Sequence, residues 1–584
     1  MKKQQLQVLS ALCIAGVGIA GCNGFSKMIK DANKVSYTVT PNPLQDNGDS
    51  VQVNIAVKYP GQYFAKKAVV TVTPTLKLSD GKEQALKSVT LVGESATANG
   101  TKISNKDGGS LNYTDKVAYT PTMKMDELDL KATLTNNKKD FPSMKIADGT
   151  ITTALLLQND DKLVMAKDNF QKTIPEKDTT HIYYAISQST VRPAEMSSEE
   201  MKKFKDFMMM GYQVDGFDVS AYASPDGETD MNQHLADDRA KSAIKAMTEM
   251  FKGKMEVEVK EADGKMKKEK VEMDPKLSDA TTYKVGTTGL DWDGFKTLVQ
   301  ESNDKDKDLV LRVLGMYTDH DQRMKEIKNM SATYSWLAEK VLPKLRRAII
   351  VVNAEKKSRT DAQLSQLATS HPDSLSVEEL LYAATLTTDM NTKLSIYMAA
   401  EKQNPNDWRC ANNVGYVEMM QNKMADAGAE FQKAATLAPT NAAVQNNLGV
   451  VARWKGDRAG AMTYFKKSNT PESTYNMALV DIQMGNYADA ASSVGTNNTF
   501  NAALAKLLNG DANGAKSTLD ASNDNTAWGF YLRAVVSART GDKNGMVTNL
   551  KTAINKDASL KAQATSDCEF IKFKDDADFK AAIQ

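Results

Sequence analysis

NNVGYVEMMQNKMADAGAEF (residues 412–431) and NNLGVVARWKGDRAGAMTYF (residues 446–465) are one pattern written twice, 34 positions apart. Small and aromatic residues recur at the same places: Gly415 and Gly449, Ala427 and Ala461, Phe431 and Phe465. A fixed period of this length indicates a stack of helix pairs. Small residues are needed where the two helices of a pair cross closely, and the aromatic ring fills the gap towards the next pair. We therefore predict an all-α solenoid in the C-terminal region.

The same period continues on both sides of these two units. Upstream, the matching positions 34 residues before Phe431, Ala434 and Pro439 are Tyr397, Ala400 and Pro405. Period, small residues, aromatic and proline together resemble the tetratricopeptide repeat (TPR). Three weaker units begin their turns at Gly485, Gly510 and Gly541. The resemblance implies TPR-like helical repeats with a C-terminal cap over residues 374–584.

TPR proteins bind peptides or helices through side chains on the concave first helix of each pair. The residues of this chain at such positions are Asn412, Asn413, Glu418, Asn446, Asn447 and Arg453. The resemblance thus implies an unidentified protein or peptide partner in the groove. The alternative is that these polar side chains are simply solvated, with Asn447 supporting the fold.

The N-terminus is predicted to be a lipoprotein signal peptide over residues 1–21. A basic MKKQQ precedes an apolar stretch, and Ile19-Ala20-Gly21-Cys22 resembles the bacterial lipobox. That resemblance implies acylation of Cys22 and anchoring in outer-membrane lipid. Residues 22–34 are a polar tether without an acidic run, which favours a body facing the periplasm. The alternative is an ordinary cleaved signal that happens to contain a cysteine.

Residues 35–150 alternate between apolar and polar positions, which predicts an all-β sandwich. Val51, Val53, Ile55, Val57 and Tyr59 fall on one face of a strand. Turn signals such as Asn-Gly and Asp-Gly separate several such runs. We assign this domain a spacer or docking role.

Residues 151–356 are predicted to be an α+β domain. A capping box at Ser197 and Glu200 opens its first helix, and a β-hairpin is inserted at about residues 252–275. The helix Asn-x-x-Leu-x-x-x-Arg-Ala carries Asn232, Arg239 and Ala240. This arrangement resembles the peptidoglycan-associating domain of outer-membrane protein A (OmpA-like), in a divergent Bacteroidota branch. Residues 357–373 are predicted to be a linker.

The OmpA-like resemblance implies a wall-binding site with one substitution. In wall-binding members an Asp receives the ammonium of diaminopimelate and an Arg clamps its carboxylate. Here Arg239 is present, but Ser224 stands at the Asp position, followed by Asp226. The candidate peptidoglycan residues are therefore Ser224, Asp226, Asn232 and Arg239. The alternative for Arg239 is an ion pair with Asp237, Asp238 or another acid.

Composition excludes several functions. With 74 basic and 73 acidic residues the net charge is +1, so no global field attracts nucleic acid. The four histidines and the cysteines have no metal-ligand spacing, and no catalytic set has local support. We therefore predict a non-enzymatic envelope protein without cofactor or metal, acting in envelope assembly or secretion. The alternatives are a purely structural tether between outer membrane and wall, and an envelope hydrolase or its regulator.

Overall fold

The computed structural model describes residues 23–136, 138–260 and 266–584, except the side chains of residue 23 and of residues 256–269. The predicted signal peptide, Cys22 and the predicted hairpin turn at Asp263-Gly264 lie outside the described residues. The chain forms two compact units, Met1–Lys167 with Thr388–Gln584, and Asp168–Thr387. Residues 151–167 therefore fall in the first unit and residues 374–387 in the second, whereas the predicted domains began at residues 151 and 374. The predicted multidomain order, with a β-rich N-terminal region and a helical C-terminal region, is confirmed.

The N-terminal part of the first unit is built from two mainly antiparallel sheets that share one apolar core, with β6 and β7 paired in parallel and a separate parallel pair of β2 and β12. Its elements are α1 Asn23–Lys30, β1 Ser36–Val39, β2 Leu44–Gln45, β3 Ser50–Tyr59, β4 Val69–Lys77, β5 Glu83–Ala85, β6 Val89–Gly93, β7 Thr101–Ile103, β8 Gly109–Ala118, β9 Glu127–Leu134, β10 Lys139–Asp140, β11 Met144–Asp148 and β12 Thr150–Ile151. One sheet has the order β1-β3-β8. The other has the order β10-β9-β4-β6-β7, with β11 paired to β9 and β5 to β4.

Alternation explains why these segments form sheets. Every second side chain of β3, from Val51 to Tyr59, is buried, and these side chains pack with those of β4 and β9 in the common core. The predicted tether requires a correction, because Asn23–Lys30 is helical and Met28 is buried in the same core. The free polar linker expected at residues 22–34 is thus at least partly docked.

The second unit is an α+β domain around a four-stranded sheet. Its elements are β13 Thr173–Tyr183, α2 Glu199–Met208, β14 Gln213–Ala223, α3 Thr229–Met250, β15 Lys254–Lys260, β16 Met266–Glu272, β17 Tyr283–Leu290, α4 Trp292–Glu301, α5 Lys307–Met316, α6 His320–Asn329, α7 Ser331–Trp336, α8 Leu342–Leu345, β18 Arg347–Lys357, α9 Asp361–Ser370 and α10 Val377–Thr385. The sheet order is β13-β18-β14-β17, with β14 and β17 parallel. β15 and β16 form the predicted hairpin.

Three details of the second unit differ from the sequence predictions. Ser198, not Ser197, caps α2, since its hydroxyl accepts from the Met201 N–H. The strand β17 was not predicted, because two glycines and exposed side chains hide its alternation. The predicted linker contains a full helix, α9, opened by a capping box at Thr360 and Gln363.

The C-terminal part of the first unit is a stack of antiparallel helix pairs. Its helices are α11 Met390–Gln403, α12 Trp408–Met420, α13 Met424–Leu437, α14 Ala442–Trp454, α15 Arg458–Ser468, α16 Pro471–Met484, α17 Tyr487–Val494, α18 Phe500–Leu508, α19 Ala512–Ser522, α20 Ala527–Thr540, α21 Lys543–Lys556, α22 Leu560–Thr565 and α23 Ala577–Ala582. From α12 to α21 they pack as five successive pairs.

The repeated glycines are explained by the packing of each pair. A Cβ added at Gly415 would lie 2.9 Å from the Phe431 ring, and one at Gly449 would lie 2.5 Å from the Phe465 ring. Ala427, Ala461 and both rings are fully buried. The 34-residue pattern therefore records a close helix crossing repeated in two consecutive pairs, as TPR-type packing requires.

Candidate functional site: the solenoid groove and its strap

An extended segment of the chain itself runs along the first helices of the solenoid. We call residues 158–166 the strap. It follows β12 and a short 3₁₀ turn at Thr153–Leu156, and it has no helical or strand assignment. The sequence prediction assigned this segment to the α+β domain of residues 151–356. The strap instead obtains its backbone hydrogen bonds from asparagine side chains of the solenoid.

Four asparagines, which we call the asparagine ladder, each hold one strap residue by both its N–H and its C=O. The pairs are Asn501 with Gln158, Asn476 with Lys162, Asn447 with Val164 and Asn413 with Ala166. All eight distances lie between 2.7 and 3.0 Å. An extended chain presents the backbone groups of alternate residues to one side, so equivalent positions on successive helices can each reach an even-numbered strap residue.

A second pair of asparagines supports this ladder. Asn412 donates to the Val164 carbonyl at 3.1 Å, and Asn446 donates to the Lys162 carbonyl at 2.7 Å. Their side-chain oxygens accept from ladder asparagines, Asn412 from Asn447 and Asn446 from Asn476. These asparagines are 0% exposed. Because buried amides are stable only when hydrogen-bonded, this network fixes the position of the strap backbone.

One strap side chain is held by a buried ion pair. Arg453 donates from Nε to Asp161 Oδ1 at 2.6 Å and from Nη2 to Asp161 Oδ2. Trp454 Nε1 donates to the same carboxylate at 2.7 Å, and Arg453 also donates to the Asn159 side chain. The Arg453 and Asp161 side chains are 2% and 4% exposed. A bidentate guanidinium–carboxylate pair in this setting selects an acid at this strap position.

The neighbouring acid, Asp160, is held by several groups, since Asn501 Nδ2 donates to its Oδ1 at 2.5 Å and Lys162 Nζ lies 3.5 Å from its Oδ2. The Tyr475 hydroxyl donates to Asp160 Oδ2 at 2.5 Å, and burial together with that carboxylate raises the pKa of Tyr475. Lys162 Nζ lies 4.8 Å from the centre of the Tyr475 ring, a cation–π distance. Leu163 packs on the apolar core of the central repeats. The groove thus contacts strap side chains of acidic, basic and apolar character.

The structure places five of the six predicted groove residues on the strap: Asn412, Asn413, Asn446, Asn447 and Arg453. Their interpretation as solvated side chains is wrong, because all five are buried. The sixth, Glu418, lies instead beside Glu430 and Asp426, and burial with these acids raises its pKa to about 7.

Two ladder residues were missed from the sequence, Asn476 and Asn501. A signal was present, since all four ladder asparagines stand two residues before a glycine or alanine, namely Gly415, Gly449, Ala478 and Ala503. The 34-residue period hid it, because the later repeats are shorter.

The second unit contains the predicted wall-binding residues, and Arg239 is already engaged there. Its side chain is 1% exposed and donates to the carbonyl oxygens of Tyr222, Gln188 and Ala185 at 2.9, 3.0 and 3.2 Å. Its guanidinium also lies over the Tyr184 ring. Burial lowers the pKa of Arg239 to about 10, so it stays charged at neutral pH. In the described part of the chain these carbonyls take the place of the expected ion pair with Asp237 or Asp238.

Ser224, Asp226 and Asn232 gather around the turn before α3. The Ser224 hydroxyl donates to Asp226, and Asn232 Nδ2 donates to the Ser224 carbonyl at 3.2 Å. Arg346 Nε donates to Ser224 Oγ at 3.2 Å, and its Nη2 lies 4.0 Å from Asp226 Oδ2. Asp226 therefore occupies the neighbourhood of the substituted Ser224, where it is paired with a guanidinium of the chain.

A scan of family models and a search of curated proteins returned no match. Solved structures similar to the helical region include a tetratricopeptide repeat protein from Parabacteroides merdae, 13% identical with a TM-score of 0.27, covering 34% of this chain and 85% of that one. Another is pilF of Pseudomonas aeruginosa, 15% identical with a TM-score of 0.28, covering 37% and 96%. A third is YrrB, a TPR protein with an unusual peptide-binding site, 15% identical with a TM-score of 0.22, covering 35% and 99%. At these TM-scores the matches carry no functional weight, and the TPR-type assignment rests on the helix pairs and their spacing.

Two further observations concern membranes and metals. Among residues 23–136, 138–260 and 266–584, no helix combines the length and apolarity needed to cross a bilayer. Within the same ranges, no group of three or more His, Cys, Asp or Glu side chains is placed to hold a metal ion.

Proposed function

We propose that this protein is a non-enzymatic scaffold of the bacterial envelope, anchored in outer-membrane lipid through acylated Cys22, with its body in the periplasm. Its solenoid binds a protein partner, and its role lies in envelope assembly or secretion. The lipobox at residues 19–22 supports the anchor, and the TPR-type repeats support the scaffold role.

The observation that carries the proposal is the asparagine ladder. Paired amide side chains on successive helices hold the main chain of an extended segment, which is a form of recognition that works on peptides. In this chain the strap occupies the central part of that surface. A partner therefore either binds surfaces outside the ladder or replaces the strap on the ladder.

Affinity capture with cross-linking and mass spectrometry, from envelopes carrying the full chain, tests the scaffold role. A scaffold should bring down a stoichiometric protein partner, and Arg453→Glu, which places a like charge beside Asp161, should alter that partner's yield. Recovery of wall polymer with no stoichiometric protein would reject the scaffold in favour of the tether.

The anchor is tested by Cys22→Ala. The variant should leave the membrane fraction and take no label from palmitate, whereas the wild type should be labelled and sediment with membrane. Equal sedimentation and absence of label in both proteins would contradict the lipid anchor.

A second candidate is a tether that binds peptidoglycan through the OmpA-like domain. It is favoured by the cluster of Ser224, Asp226 and Asn232 at the turn before α3. Arg239 of α3 adds a buried positive charge, on whose pKa Asp226 acts. If wall carboxylates bind there, wild-type protein should sediment with purified peptidoglycan at low salt, and Ser224→Asp should strengthen sedimentation. Wild-type protein that stays wholly in the supernatant would exclude this candidate.

A further inference from the structure

The strap combines two kinds of contact that separate general from specific recognition. The ladder asparagines hold backbone groups of the strap, and Asn501 also donates to the Asp160 side chain at 2.5 Å. Backbone contacts of this kind accept any extended sequence. The Arg453 and Trp454 contacts require a carboxylate at the position of Asp161, and the Tyr475 hydroxyl adds a second acceptor position at Asp160. The groove therefore binds the backbone of an extended segment along its length and requires an acidic side chain at the position of Asp161.

We propose that the solenoid groove is a site for an extended acidic segment of a partner protein, and that the strap is its resident pseudo-ligand. This inference rests on the proposed scaffold function and names the ligand class of that site. The incoming segment has a carboxylate side chain in the Asp161 register, followed by a basic and then an apolar residue, in the order Asp-Lys-Leu of the strap.

Charge complementarity is the reason for choosing an acidic segment over other occupants. Arg453 is almost fully buried, and its paired acid comes from the strap. A segment without a carboxylate in that register would leave the guanidinium buried and unpaired, which costs several kcal/mol. A neutral or basic segment is therefore rejected even though the ladder would accept its backbone.

Covalent attachment keeps the wild-type groove closed. A tethered segment competes at an effective concentration that can reach about millimolar, so a free peptide of micromolar affinity cannot displace it. A partner gains access when its own binding elsewhere brings its segment to the groove, or when the strap is weakened. The strap thus sets a threshold on partner binding.

The test uses a fluorescent peptide with the sequence of residues 158–166, QNDDKLVMA, and fluorescence anisotropy. The peptide is titrated with three proteins. They are the wild-type full chain, the full chain with residues 158–166 replaced by glycine and serine at equal length (the glycine–serine chain), and the full chain with Asp161→Ala. The glycine–serine chain should bind the peptide at least about tenfold tighter than the wild type. The Asp161→Ala chain should fall between the two.

Two controls test the register. The peptide carrying Asp161→Lys should bind the glycine–serine chain at least about 30-fold more weakly. Arg453→Glu in that chain should reverse the preference and restore binding of the Asp161→Lys peptide. Equal binding of both peptides would overturn the proposed ligand class.

Folding of the variants does not limit the conclusion. If the glycine–serine chain loses its helical circular dichroism, the Asp161→Ala chain decides alone, and binding no tighter than wild type to a folded Asp161→Ala chain overturns the proposal. Failure here with a captured partner retained would reject the acidic-segment ligand and leave the scaffold function standing. If neither the peptide binds as expected nor a protein partner is captured, the scaffold function is rejected as well.

Discussion

Two buried arginines of this protein are accommodated in opposite ways. Arg453 in the solenoid is 4% exposed and Arg239 in the second unit is 1% exposed. Arg453 forms a bidentate pair with Asp161, a carboxylate from a segment almost 300 residues away in sequence. Arg239 donates to three backbone carbonyls, and within the described residues it forms no salt bridge, although the charge of Asp226 acts on its pKa.

The difference shows that the structural role of a buried guanidinium depends on whether a carboxylate or backbone carbonyls compensate its charge. An ion pair joins two segments and makes each depend on the other. Carbonyl dipoles hold a guanidinium in place but leave a net positive charge, and the cost appears as the lowered pKa of Arg239. The first arrangement joins the strap to the solenoid, whereas the second fixes a buried charge against the backbone of its own unit.

The largest expected effect is that of Arg453→Ala. The substitution leaves the Asp161 carboxylate buried without its cation, although Trp454 Nε1 still donates to it, so the free energy of unfolding of the first unit should fall by about 3–5 kcal/mol. Urea denaturation followed by circular dichroism measures it. Arg458→Ala is the matched control, because its ion pair with Asp49 is exposed and should contribute at most about 1 kcal/mol. Equal losses in the two variants would show that burial of the Arg453 pair has no energetic consequence.

Arg239→Ala should cost less, about 1–3 kcal/mol, because it leaves neutral carbonyls without donors rather than a bare charge. Thermal and urea unfolding of the full chain measure this loss. The matched control is Asp238→Ala on the same helix, which breaks only an exposed contact with Lys241. A loss as large as that of Arg453→Ala would mean that Arg239 balances an acid after all.

Asn476→Ala should lower the free energy of unfolding by about 1–2 kcal/mol. It removes both hydrogen bonds to Lys162 of the strap, while Asn446 still donates to the Lys162 carbonyl. Asn513→Ala, at an exposed position of α19, is the control and should change stability by less than about 0.5 kcal/mol. Similar values for the two would argue that ladder bonds merely replace bonds to water.

Asp126 extends the comparison to a buried acid without a cation. It is 3% exposed, and burial raises its pKa from 3.8 to about 7. Because the folded pKa is the higher one, the folded state holds the proton between these values, and stability should fall as pH rises from about 4 to about 7. The adjoining cavity of about 170 Å³ has room for water, so we expect a loss of about 1 kcal/mol between pH 5 and pH 7. Asp126→Asn should remove this part of the pH dependence, and an unchanged pH profile would contradict the raised pKa.

Much of the fold follows from local pattern. The period of two in β3 and the 34-residue period of the central repeats each come from contacts repeated at fixed spacing. Both periods can therefore be recognised from the sequence alone. The strand β17 and the docking of Met28 do not repeat, and their positions depend on contacts with distant segments. The position of the strap could not be predicted for the same reason, because its hydrogen bonds come from side chains 247 to 343 residues away.

The candidate groove could be predicted from the sequence in part. The paired asparagines at 412–413 and 446–447 were visible, but their ligand was not, since nothing local to residues 158–166 indicates which helices they contact. For Arg239 the motif was visible, yet carbonyl acceptors leave no trace in a sequence. Residue identity predicted which side chains matter, and only the structure supplied their partners.

The most direct test of the account is amide hydrogen exchange of the strap in the full chain, followed by mass spectrometry. The N–H groups of Gln158, Lys162, Val164 and Ala166 donate to ladder asparagines, so peptides covering residues 158–166 should exchange slowly in the wild type. They should exchange at least about tenfold faster when Asn447→Ala and Asn476→Ala are combined. Exchange of the wild-type strap at the rate of an unstructured chain would contradict the claim that the solenoid holds it.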